Sequence, residues 1–184
     1  MYKTDIKSIH STRAIIPCTE YDWFVKENGD SVYQNLSKLD GPRDFKRIWA
    51  FQSGTVVLKV DRDTEELLLV VNKPPVNNNE YPTELARQIY EPLAAYNGGV
   101  VTAAIFTCNT LIMGTDNGRL YGYCVGGDLK SLAYLNLRKP DFRYRHSMAK
   151  PVISIAVTKM NHRGVQILVH HPDTLQIIER LLPC

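Results

Sequence analysis

The sequence contains no run of about 18 consecutive apolar residues, so no segment reads as a helix that crosses a bilayer, and a membrane is not an expected partner. It has no apolar signal core behind Met1. The start, "MYKTDIKSIHSTR", is polar, which argues against secretion. Cysteine is sparse and unclustered: Cys18, Cys108, Cys124 and Cys184 lie far apart and form no C-x-x-C, so a zinc site is not expected. With no secretion signal the four read as reduced thiols of a cytoplasmic or nuclear protein. A large charge of one sign is also missing. The net charge of +3, from 22 Lys and Arg against 19 Asp and Glu, falls short of the basic excess that marks a nucleic-acid-binding domain. Finally, there is no G-x-x-x-x-G-K-[ST], no G-x-G-x-x-G and no G-x-S-x-G. These absences lead us to expect no enzyme, no cofactor and no metal site.

What is present is strand chemistry. In "IMGTDNGRLYGYCV", residues 112–125, two apolar runs flank Asn117-Gly118, a pair suited to a two-residue hairpin turn in which both residues take positive φ. "VVTAAIFT" (100–107) precedes this hairpin. "SLAYLNL" (131–137) follows it, with Leu132, Tyr134 and Asn136 alternating with Ala133, Leu135 and Leu137. The four runs predict a four-stranded antiparallel meander of about 40 residues.

The pattern recurs along the chain. "PVISIAVT", "VQILVHH" and "TLQIIERLL" predict three strands of a C-terminal unit. "FKRIWAFQ", "TVVLKV" and "LLLVV" predict three more, and "TRAIIPC", "DWFVKE" and "SVYQNL" form the weakest set. Four modules result, at residues 10–45, 45–75, 99–138 and 150–184, within one domain spanning 1–184. An antiparallel sandwich would give similarly spaced short strands. Residues 72–98 read as an insertion. "NKPPVNNNEYPTE" (72–84) is too polar and proline-rich for a central strand. After it, Thr83 could cap a short helix at 84–91 with Leu85, Ile89 and Leu93 on one face. The alternative is that "QIYEPLAAY" forms an outer edge strand. The expected fold is therefore all-β: consecutive antiparallel four-stranded meanders, in a partial or small β-propeller of about four blade-like modules.

"GGVVTAAIFTCNTLIMGTDNGRLYGYCVGG" and "HSMAKPVISIAVTKMNHRGVQILVHHPDTLQIIER" resemble WD40-like β-propeller repeats over residues 98–182. Gly98-Gly99 stands at the first turn of such a blade, Gly114-Thr115-Asp116-Asn117-Gly118 at the second, and Tyr121 and Tyr123 on the third strand. The chain departs from the family in having no Gly-His and no Trp-Asp dipeptide, and His146 has no Asp partner in its module. The resemblance implies a protein-binding scaffold or a substrate-recruiting subunit, for instance of a ubiquitin ligase assembly. Propellers of this type use four to eight blades of about 40–45 residues, and this chain supplies about four. An open array, a fragment of a longer propeller, and an array completed by self-association with a second chain are all compatible with that count. "YKTDIKSIH" could supply the missing outer strand of the last module; without it the module has an open edge.

Few residues suggest chemistry. His170 and His171 are adjacent, so on a strand they point to opposite faces, and His162 lies in a loop. Cys108 and Cys124 read as small buried apolar side chains. Asp61, Asp63, Glu65 and Glu66 read as a solvated hairpin tip, without the glycine and closing glutamate of a calcium loop. One stretch stands out: "LRKPDFRYRHSMAK", residues 137–150, expected to be a basic, aromatic loop between two modules. Its candidate binding residues are Arg138, Lys139, Phe142, Arg143, Tyr144, Arg145 and His146, with Asp141 as partial counter-charge. Arginine beside aromatics suits a protein interface. The same composition supports an alternative, a nucleic-acid-binding β domain. The 72–84 loop offers a second surface.

Overall fold

The computed structural model describes residues 22–25, 31–34, 45–51, 55–73, 83–125, 128–159 and 164–182. The chain divides into two compact units, Met1–Glu91 and Pro92–Cys184. Regular structure is antiparallel β throughout, with two short 3-10 helices and no α-helix among the described residues.

In the first unit, β1 (Asp22–Val25) and β2 (Ser31–Gln34) form a hairpin. The expected strand over "TRAIIPC" and the suggested outer strand over "YKTDIKSIH" lie outside the described residues. A four-stranded sheet follows in chain order: β3 (Phe45–Phe51), β4 (Val56–Asp61), β5 (Leu67–Lys73) and β6 (Thr83–Tyr90). β4 and β5 are mostly apolar and are buried along nearly their whole length. Two buried positions of β4, Lys59 and Asp61, are charged. Lys59 is fully enclosed, with its ammonium 4.6 Å from the centre of the Phe45 ring.

β6 corrects the helix expected at 84–91. Its Leu85 and Ile89, spaced as on a helix face, are instead about half exposed on an edge strand, and Ala86 is the buried residue. The physical reason is non-local. Buried β5 has a second row of peptide groups to satisfy, and β6 satisfies them. Pro92 then stops the strand, and a 3-10 turn at Leu93–Tyr96 opens the second unit. The acidic tip is also less solvated than expected, because Asp61 is buried and its carboxylate accepts the N–H groups of Asp63 and Thr64 at 3.0 and 2.9 Å.

The second unit holds two sheets. The first is the meander β7 (Val101–Thr107), β8 (Thr110–Thr115), β9 (Arg119–Cys124) and β10 (Phe142–Arg145). The second is β11 (Ser154–Lys159), β12 (Val165–His170) and β13 (Leu175–Arg180). Neither sheet closes on itself. Ala103, Ile105, Ile112, Leu120 and Phe142 of the first sheet pack with Val152 and with Ile155, Ile167, Val169 and Ile178 of the second. The Thr102 hydroxyl also ties the first sheet to the chain leading into the second, donating to Val152 O at 2.6 Å.

Four local expectations are corrected in this unit. First, residues 131–137 are not a strand. Asp128 caps a 3-10 helix at Leu129–Tyr134 by accepting Lys130 N–H at 2.9 Å, and the Ser131 hydroxyl donates to Asp128 O at 2.6 Å. These local bonds compete with a sheet ladder. Leu129, Leu132 and Leu135 fit a period of three as well as the run fits a period of two. Second, the fourth strand lies further on, at β10, within the stretch expected to be a loop. Third, Asn117-Gly118 is not a turn with two positive φ angles. Only Gly118 is left-handed (φ +74), in a loop where Gly118 N–H donates to Thr115 O at 3.2 Å. The paired left-handed residues sit one hairpin earlier, at Cys108 (φ 47) and Asn109 (φ 49). Fourth, Cys108 is disulfide-bonded rather than a reduced thiol, while Cys124 is free.

Candidate arginine face on the edge of the second unit

β10 pairs antiparallel with β9, with Phe142 opposite Gly122, Arg143 opposite Tyr121, Tyr144 opposite Leu120 and Arg145 opposite Arg119. Strand alternation therefore sorts the predicted residues onto two faces. Phe142 and Tyr144 face the core between the two sheets. Phe142 is buried, and its ring lies over Gly122 so closely that a Cβ there would sit 2.0 Å from Phe142 Cζ. Arg180 of β13 stacks on both rings, 4.9 Å from the centre of Phe142 and 6.0 Å from that of Tyr144, and donates to Tyr144 Oη at 3.3 Å. These contacts hold β10 in place; Phe142 is buried and Tyr144 only partly so.

Arg143 and Arg145 point the other way and are exposed. On the same face β9 contributes Arg119 and Tyr121. Together with Tyr144 these residues line a small half-open recess of about 200 Å³. Arg119 Nη1 donates to Tyr121 Oη at 3.4 Å, while its Nε is buried without a hydrogen-bond partner. No carboxylate of the described residues pairs with Arg119, Arg143 or Arg145. Asp141, the expected counter-charge, directs its carboxylate to Cys124 N–H at 2.6 Å. Burial pushes the Tyr123 phenol far above its ordinary range; neighbouring Tyr121 adds to the shift and Arg143 opposes it.

The other predicted residues fall elsewhere. Arg138 stacks on Tyr96, 4.6 Å from the ring centre, and Lys139 is exposed beside it. His146 lies apart from the recess: its ring packs 4.2 Å from that of His171, its Nδ1 accepts Met148 N–H at 3.3 Å, and Thr174 Oγ1 lies 3.4 Å from its Nε2. His171 is fully buried with Nδ1 near the Lys150 and Pro151 carbonyls, whereas its neighbour His170 is exposed. Within the 72–84 surface, residues 74–82 lie outside the described set; 72–73 belong to β5 and 83–84 to β6. Arg119, and Tyr121 beyond its place on the third strand, join the site only through the β9–β10 register. The alternation in "FRYR" was the available signal.

No protein-family model matches this chain, and no curated protein matches it. Among the described residues no helix is long and apolar enough to cross a membrane, and no three His, Cys, Asp or Glu side chains are grouped to hold a metal ion.

Proposed function

We propose that the chain is a non-catalytic protein-interaction module built on WD40-like blade sheets, and that the second unit engages its partner through the β9–β10 arginine face. The blade reading is supported by two four-stranded antiparallel meanders in chain order, β3–β6 and β7–β10, followed by a three-stranded one. The interaction reading is carried by one observation: three arginines share one sheet face and no carboxylate of the described residues pairs with them. Arginine is the side chain most suited to interface and anion recognition, because its planar fork makes two parallel hydrogen bonds. A rigid strand pair presents the three with their backbones fixed, which lowers the ordering cost of binding.

Quantitative affinity capture tests this reading. The full chain is compared with Arg143→Glu/Arg145→Glu and with Lys130→Glu, a charge reversal on the 3-10 helix. The proposal expects a defined set of proteins to be lost with the double variant, retained with Lys130→Glu and resistant to nuclease. An identical set with all three baits contradicts it.

A further inference from the structure

Resting on that reading, we infer that the arginine face binds a phosphoryl group carried on an extended protein segment, which adds as a strand to the open edge of β10. Four observations converge on this chemistry.

The first is the like-charge pairing. Arg145 stands directly opposite Arg119, an arrangement that repels in a sheet unless an anion lies between the two. Arg143 is the next outward residue along the strand, so three guanidinium groups border one recess. The second is the unmet hydrogen-bonding capacity: Arg119 Nε is a buried donor with no partner, beside an Arg119 Nη1 already turned to Tyr121 Oη. A carboxylate is satisfied by one arginine fork. A phosphoryl group offers close to two charges and three acceptor oxygens, which suits three forks. The third is size. At about 200 Å³ the recess holds one side-chain headgroup and is smaller than a typical cofactor pocket.

The fourth is the edge itself. β10 is the last strand of its sheet, and nothing among the described residues pairs with its outer side. His146 N–H donates to Gly118 O at 2.8 Å, which sets the phase of the β9–β10 ladder. In that phase Phe142 and Tyr144 bond to β9, while the peptide groups of Arg143 and Arg145 turn outward. A strand added there gains main-chain hydrogen bonds from the same residues whose side chains bind the anion, and every second side chain of the added strand lies over the arginine face.

The edge also selects its occupant. A second copy pairing β10 to β10 would bring arginine against arginine, a standard device against self-pairing. Single-stranded nucleic acid needs aromatic faces on which bases stack. Phe142 and Tyr144 are turned into the core under Arg180, and Tyr121 is buried.

The test uses the full chain in fluorescence-polarisation titrations against four probes. These are a degenerate extended peptide library with a fixed central phosphoserine, the same library with serine, the same with glutamate, and a single-stranded RNA. Protein NMR with the phosphopeptide locates the contact. The expected result is binding of the phosphoserine library at least about tenfold tighter than either other library, with amide and Arg Nε shifts at Arg119, Arg143 and Arg145. Arg143→Ala and Arg145→Ala each weaken it by about ten- to hundredfold, Arg145→Lys weakens it less, and Lys130→Ala leaves it unchanged. Equal binding of the glutamate library at these residues overturns the phosphoryl inference and leaves the interaction face standing. Binding of RNA alone, falling steeply with salt, overturns both. Absence of any shift at the three arginines with every probe overturns the phosphoryl inference.

Discussion

The arginine face exists only while β10 stays paired to β9, and the Gly122–Phe142 contact makes that dependence measurable. A methyl group at Gly122 would lie 2.0 and 2.1 Å from Phe142 Cζ and Cε1. Two carbon atoms need about 3.5–4.0 Å, so the ring must swing away, and overpacking of this kind costs about 1–3 kcal/mol. Removing the ring with Phe142→Ala costs more, about 3–5 kcal/mol, because a buried phenyl and its stacking under Arg180 are lost. In the double variant the methyl group meets empty space, and alanine narrows the unfolded ensemble by about 0.4–1 kcal/mol relative to glycine. Gly122→Ala should then cost nothing in the Phe142→Ala background, giving a coupling of at least about 1 kcal/mol against the 0.3–0.5 kcal/mol scatter of independent sites. Tryptophan fluorescence is a poor readout because Trp23 and Trp49 both lie in the first unit. Native-state hydrogen exchange at Arg119–Cys124 and Phe142–Arg145 reports on the correct strands. Additive costs, or Gly122→Ala within about 0.5 kcal/mol of the parent, would refute the packing account.

Two further predictions follow from burial and electrostatics. On β13, Ile178 is buried against the inter-sheet core while its neighbour Ile177 is 56% exposed, so Ile178→Ala should cost about 2–4 kcal/mol and Ile177→Ala less than about 1 kcal/mol in thermal unfolding followed by circular dichroism. Cys124 is a free thiol. Burial raises its pKa, partly offset by the Thr110 hydroxyl 3.7 Å away, so its thiolate fraction at neutral pH is smaller than that of an ordinary cysteine. Alkylation of Cys124 should be slow at pH 7 and accelerate only at a higher pH than for a model thiol, read by mass spectrometry; a rate equal to the model thiol at pH 7 would contradict this.

The strands that could be read from sequence were those whose own pattern settles their state. The apolar run at 67–71, the run at 56–60 interrupted only by Lys59, and the β-branched run at 101–107 have no competing period, and all three are strands. The misread segments are short and ambiguous by themselves. Leu85 and Ile89 fit a helical stripe, yet the unmet edge of β5 takes Thr83–Tyr90 as a strand. "SLAYLNL" alternates, yet Asp128 and Ser131 fold its start into a 3-10 turn. "FRYR" is too short and too charged to predict as a strand alone. What makes it one is tertiary: Phe142 fits over Gly122 and Arg180 reaches across from β13. The candidate site was half visible for the same reason. Arg143 and Arg145 stand out by composition, whereas Arg119 and Tyr121 enter only through register, and the packing contacts of Phe142, Tyr144 and His146 depend on β13 and on His171.

The most direct test of the central claim is the nuclear Overhauser spectrum of the second unit. Arg143–Tyr121 and Arg145–Arg119 are the pairs whose Cα atoms approach to about 4.5 Å without mutual hydrogen bonds, so their Hα protons face each other across the ladder. The account predicts strong Hα–Hα cross-peaks for both pairs, with extended-chain shifts at Phe142–Arg145. Random-coil shifts over these residues with neither cross-peak would return them to a loop, and the arginine face would not exist.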